Sequence, residues 1–161
     1  MDDRISLERE NIMRYPQLIV MLTHHDATAL DSKKIFFEAK NAPCDYWGFK
    51  DVGLPEDQMR DLVACMKDAG KITFIEILAY TEEDSLKSVQ LAVDCGFDYV
   101  LGTHYFKSIL DLTNENHIKY LPFVGNRREH RLYGEIDEII AEAKQVLSYG
   151  TYGVNLPGFR Y

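Results

Sequence analysis

The sequence predicts an α/β chain of the (β/α)8 TIM-barrel type, incomplete, with about six βα units and parallel strands. Three observations predict it. Short, nearly continuous apolar runs alternate with amphipathic segments, as strands buried on both faces and their covering helices do. A glycine punctuates the helix-to-strand junctions "KDAGKITFIEI", "VDCGFDYVLG" and "LSYGTYGVNL". Ionisable groups stand at nearly every predicted strand end, where a barrel carries its chemistry.

Six strands are expected. They are "QLIVMLT" (17–23), "YWGFKDV" (46–52), "ITFIEIL" (72–78), "DYVLGT" (98–103), "KYLPFVG" (119–125) and "YGVNLP" (152–157), all rich in Ile, Val, Phe and Tyr. Helices are expected over 55–69, 82–95 and 134–149. The first opens with Pro55 and an acidic turn, good helix-start signals, and puts Met59, Leu62, Val63 and Met66 on one face. The second aligns Leu86, Val89 and Val93, and the third Ile136, Ile139, Ile140, Ala143 and Leu147. Gly70, Gly96 and Gly150 suit the left-handed residue that closes a helix. Their spacing implies a unit of about 26 residues holding one strand and one helix. Right-handed crossovers then carry the strands round in sequence order.

A dinucleotide-binding sheet would need GxGxxG after its first strand. The sequence there is "THHDATALDS", and no GxxxxGK[ST] occurs either. Six units do not close a barrel, which takes eight strands and about 200 residues or more. The chain is therefore expected to be one domain over 1–161, truncated at its C-terminus or completed by oligomerisation. An open sheet edge invites such pairing.

The 161 residues carry a net charge of −8, which argues against nucleic acid as a partner. Three separated cysteines without a CxxC pair suggest reduced thiols in a cytoplasmic protein. The charged start "MDDRISLERENIMRYP" is unlike a signal peptide, and "LIVML" is far short of the roughly 20 residues of a membrane span.

The strand ends supply the candidate site. In order they read Thr23, His24, His25 and Asp26; Lys50 and Asp51; Glu76; Thr103 and His104; Asn126, Arg127 and Arg128; Asn155 and Arg160. Side chains alternate along a strand, so only one of Lys50 and Asp51 faces the barrel interior. Glu76 lies in "FIEIL", where a carboxylate needs a cation, a metal or a proton, and Lys50 on the neighbouring strand is the evident partner. Lys50, Glu76 and His104 are the candidate catalytic residues. His24, Asp26, Asn126, Arg127, Arg128 and Asn155 are the candidate substrate-binding residues.

Each has a plainer alternative. Lys50 and Glu76 form a structural ion pair, a proton-transfer pair or a Schiff-base site. "HHD" is a polar loop opening a helix capped by Asp26 or Thr28, or contributes to a divalent-metal site with Glu76 and His104. No diagnostic spacing marks that metal site, so no residue is assigned to a metal and no cofactor is fixed. "GNRREHR" is a solvated loop or a clamp for phosphate or carboxylate.

The segments "GFKDVGLPEDQM", "ITFIEILAYTEEDSLKSVQLAVDCGFDYVLGTHY", "KYLPFVGNRREH" and "GVNLPGFRY" resemble a poorly characterised family of HisA-like, ribulose-phosphate-binding-type (β/α)8 barrels. Some of its members are labelled 4-hydroxythreonine-4-phosphate dehydrogenase by similarity. The resemblance implies a barrel and a phosphorylated small substrate held by loops after strands seven and eight.

Three functions follow as expectations. The first is a lyase or isomerase acting on a small phosphorylated or anionic metabolite by proton transfer through Lys50 and Glu76. The second is a metal-dependent epimerase or hydrolase built on His24, His25 and His104. The third is a non-catalytic subunit whose open edge docks on another copy.

Overall fold

The structure is a computed structural model that describes residues 16–128 and 131–156, the side chains of residues 127, 128 and 131 excepted. Its centre is a five-stranded sheet, β1 (Ile19–Met21), β4 (Tyr46–Lys50), β5 (Ile72–Ile77), β6 (Tyr99–Gly102) and β7 (Lys119–Leu121). All neighbours are parallel, and the strands stand side by side in sequence order. Two short hairpins flank it, β2 (Thr23–His24) with β3 (Ala27–Thr28) and β8 (Asn126–Arg128) with β9 (Arg131–Tyr133). This is the incomplete barrel plan that the alternating pattern predicts.

The sixth expected strand does not form. Over 152–156 the chain follows β7 without a ladder. Tyr152 N–H donates to the Tyr120 carbonyl at 3.0 Å, Asn155 N–H donates to that of Pro122 at 2.7 Å, and Asn155 makes one isolated parallel bridge to Phe123. Pro122 explains the interruption, because it can accept across the edge but has no N–H to return.

Among the described residues there are five helices, α1 (Ser32–Ala39), α2 (Glu56–Asp68), α3 (Glu82–Cys95), α4 (Lys107–Glu115) and α5 (Ile136–Ser148), and α2, α3 and α4 pack against the sheet. Three match the expected ones to within two residues. At the start of α3, Thr81 Oγ accepts from Asp84 N–H at 3.1 Å, and three acidic residues follow in the first turn, where the helix dipole favours them. Gly70, Gly96 and Gly150 all take positive φ, at 73°, 79° and 98°. The unexpected helices, α1 and α4, have no acidic first turn and no side-chain cap, so their sequences lack the usual start signals.

The core lies between sheet and helices. Trp47 and Phe49 of β4 are buried there, edge-on to Phe36 of α1 (5.3 Å) and to Phe97 (5.1 Å). Ile75, Ile77 and Val100 join Met59, Leu62, Val63, Met66 and Val89. Fully burying side chains of this size stabilises by about 1.5–3 kcal/mol each. At the N-terminal end of the strands Asp98 fixes the β5–β6 register. Its Oδ2 accepts from both the N–H and the hydroxyl of Thr73 at 2.8 Å. No described helix is long and apolar enough to cross a membrane.

Candidate functional site

Period-two alternation turns Lys50 away from the helices. With Trp47 and Phe49 in the helix-packed core, Tyr46, Gly48 and Lys50 belong to the opposite, inner face. On β5, Ile75 and Ile77 join the core, so Phe74 and Glu76 share that inner face. Register sets Lys50 beside Glu76, and the Lys50 Nζ lies 3.3 Å from Glu76 Oε2. The Lys50 side chain is 10% exposed and that of Glu76 24%.

A second carboxylate completes the group. Lys50 Nζ also donates to Asp26 Oδ1, so one ammonium bridges two acids at the C-terminal end of the sheet. Asp26 arrives from the β2–β3 hairpin. Register pairs His24 with Ala27, leaving His25 and Asp26 as a two-residue turn with φ of 48° and 63°. Positive φ at both positions is the type I′ hairpin signature. The reading of "HHD" as the cap of a helix is thereby corrected: α1 starts at Ser32, and neither Asp26 nor Thr28 caps it. Thr28, fully buried, instead meets the Lys50 backbone. Its hydroxyl donates to the Lys50 carbonyl at 2.7 Å and accepts from the Lys50 N–H at 2.9 Å.

Asp51 faces the other way, toward Ser88 of α3, as alternation requires. Burial pushes its carboxyl pKa up, and the hydrogen bonds to Ser88 and to the backbone offset that only in part. Its Oδ1 has no hydrogen-bond partner.

The other candidates stand apart from this triad. His104 follows β6 at the same end of the sheet. Its carbonyl accepts from Thr103 Oγ at 2.8 Å and from the Tyr120 hydroxyl at 2.9 Å, and its ring neighbour is Tyr80, at 6.2 Å. Thr103 is itself left-handed, with φ of 61°, and burial holds the Tyr120 phenol above its ordinary pKa. His24 is exposed, 3.9 Å from the His25 ring, and lines an apolar groove of about 680 Å³ along β1 and α1. Asn126 is exposed and starts β8; Arg127 and Arg128 continue that strand, and their side chains lie outside the described residues, as does Arg160. Asn155 sits beside β7 with its Nδ2 buried and without a hydrogen-bond partner.

The expected metal donors do not assemble. Among the described residues no three or more His, Cys, Asp or Glu side chains group to hold a metal. Asp26 and Glu76 come together, but the Lys50 ammonium already stands with them, and His104 lies with Tyr80.

The aromatic layer beneath the triad escaped the sequence reading. Phe74, two residues before Glu76, stacks on Tyr99 at 4.2 Å, and Tyr46 and Tyr152 extend the row edge-on. Lys119 Nζ donates to the Tyr99 hydroxyl at 2.8 Å and lies over the Tyr99 and Tyr152 rings at 4.7 and 4.8 Å. Burial first, then the hydrogen bond with Tyr152, raises the Tyr99 phenol pKa. The spacing of residues 46, 74 and 99 from their strand starts carried this signal, once the inner face was known.

No family model and no curated protein matches the sequence. Solved structures do match. One is a D-psicose 3-epimerase with D-tagatose from Clostridium cellulolyticum H10, at 10% identity and a TM-score of 0.59. Another is a D-psicose 3-epimerase in the presence of D-fructose, at 12% identity and a TM-score of 0.61. Each match covers 88% of this chain, and the chain spans 62% of the length of either protein. These likenesses do not extend to the narrower HisA-like assignment or to the dehydrogenase label. At such identity they establish the fold, and the chain is a parallel α/β barrel-type protein, incomplete as a barrel.

Proposed function

We propose that the chain carries the proton-transfer site of a barrel isomerase acting on a small sugar, with Lys50 and Glu76 as the reacting pair. The observation that carries this reading is the Lys50 ammonium held between the carboxylates of Asp26 and Glu76 at the C-terminal end of the parallel strands. The fold's likeness to proteins described as sugar epimerases supports the reaction class.

The chemistry needs one base and one charge stabiliser. Glu76 takes the proton from the carbon next to a sugar carbonyl. The electron pair of that C–H bond forms a C=C bond as the carbonyl π pair moves onto oxygen, and Lys50 Nζ–H donates to the resulting enediolate. Returning the proton from Glu76 to the adjacent carbon on the same face moves the carbonyl, whereas inverting the first carbon would need a second proton donor on the opposite face of the enediolate. Asp26 keeps the ammonium aligned meanwhile. An ammonium shared by two carboxylates has no lone pair to offer, so the Schiff-base alternative fits less well.

A phosphorylated substrate is the first class to test. The one strongly basic stretch, "GNRREHR", contributes to the β8–β9 hairpin that follows β7 at the same end of the sheet, and its composition suits an anion. A metal-dependent epimerase is the second reading, favoured by the approach of Asp26 and Glu76 to one point. A divalent ion there would have to displace Lys50, and chelation followed by metal reloading separates the two readings.

The test is incubation with ketoses and their phosphates in D2O, with carbon-bound deuterium followed by NMR. Exchange is expected in wild type, and a loss of about 10²- to 10⁴-fold in Glu76→Gln. Folded protein that exchanges no member of the panel, with or without added divalent metal, would overturn the proposal.

A further inference from the structure

We infer that Thr28 is a positioning residue for Lys50, and that the β2–β3 hairpin is the device that brings a second carboxylate to the ammonium. The inference rests on the proposed role of Lys50, but its test does not use turnover.

Four observations meet here. The Thr28 hydroxyl satisfies both the carbonyl and the N–H of Lys50, at 2.7 and 2.9 Å, so one side chain fixes the peptide groups on either side of that Cα. Thr28 N–H donates to the Val52 carbonyl at 2.8 Å, and Ala29 N–H to that of Leu22 at 3.0 Å, which docks the returning strand on the ends of both β1 and β4. Gly53, with φ of 103°, gives that strand its room: a Cβ there would lie 2.5 Å from the Thr28 carbonyl oxygen and 2.7 Å from its backbone nitrogen. The tip of the docked hairpin then holds two non-glycine residues in the left-handed region, and the second of them, Asp26, bonds the Lys50 ammonium. A turn without Asn or Gly keeps such backbone only where its surroundings over-determine it.

Glu76 reaches Lys50 from a sheet neighbour whose register is fixed. Asp26 reaches it only if the hairpin is docked. Thr28 therefore sets whether Lys50 has one carboxylate partner or two, without touching substrate.

The experiment is residue-resolved acylation of lysines with acetic anhydride, read by mass spectrometry. Lys119, which donates to Tyr99 on the same face, is the internal reference. Thr28→Val keeps the shape and removes both hydrogen bonds. Lys50 is expected to react about tenfold faster relative to Lys119, the factor that losing one hydrogen bond to a charged group corresponds to. Thr28→Ser restores the hydroxyl and should return the ratio to wild type. Asp26→Asn should reproduce the rise, and adding Thr28→Val to it should add little, because both act through one contact. General loosening would raise both lysines together and would contradict the inference. If Thr28→Val does not fold, Gly53→Ala displaces the same strand from the other side and must give the same Lys50-selective rise. A wild-type ratio in folded Thr28→Val or Gly53→Ala would overturn the inference.

Discussion

Replacing Lys50 with Met keeps the length of the stem and removes its charge from between two carboxylates. Glu76 and Asp26 are only partly buried, with side chains 24% and 44% exposed, so water screens what is left. The loss should fall between that of a surface pair and a fully buried one, about 1–3 kcal/mol by denaturant unfolding. Asp51 gives a second residue-scale prediction. Its folded-state pKa is raised by burial, so its contribution to stability is full below the ordinary carboxylate pKa and is lost as pH rises through the raised value. Asp51→Asn should therefore gain stability over wild type near neutral pH, and the gain should vanish as pH falls below the carboxylate range. A gain independent of pH would mean that the charge is not what burial penalises. At this scale the sequence made the Lys50–Glu76 pair legible, because two strand ends in adjacent units and strict alternation were enough to join them. The third member was readable only as a residue near the site. What joins Asp26 to Lys50 is a turn with no glycine or asparagine to announce it.

The hairpins and the unexpected helices show where local signals run out. "THHDAT" forms a two-residue hairpin against turn preference, and α1 and α4 form without the acidic starts that mark α2 and α3. Tertiary burial decides there: Phe36 in α1 and Ile109 in α4 are completely buried. Elements with strong local signals came out nearly as read, α3 at the expected bounds and β4 and β5 with the expected starts. The same contrast yields a prediction. His25→Asn puts a residue tolerant of the left-handed region at the first turn position, and should stabilise by up to about 1 kcal/mol without changing Lys50 reactivity. A lower melting temperature would mean that the His24–His25 ring contact outweighs the backbone strain.

On the scale of the whole molecule, the sheet is ordered as a barrel, and among the described residues it does not close. Among the described residues β1 pairs only with β4, and its outer side is the apolar groove lined by Val20, Leu22, Leu30 and Ile35. Leu30 in the groove is 84% exposed, and Leu18, just before β1, is 69% exposed. Such an edge predicts self-association, and analytical ultracentrifugation at micromolar concentration should show species above the monomer that Val20→Lys reduces. A monomer throughout would remove the assembly role. The order of strands was legible because the helix–glycine–strand unit repeats. The missing sixth strand was not, since Pro122 interrupts the ladder at which it would have joined.

The proposed function makes Lys50 and Glu76 a reacting pair and not only a structural one. The most direct measurement is a cycle of Lys50→Met, Glu76→Gln and the double variant, each followed by denaturant unfolding and by deuterium exchange of whichever sugar the wild type labels. The double variant should regain part of the stability lost in Lys50→Met while exchange stays lost, because the base and the cation are both gone. A double variant that recovers stability and still exchanges at the wild-type rate would contradict it, and would leave the pair as packing inside the sheet.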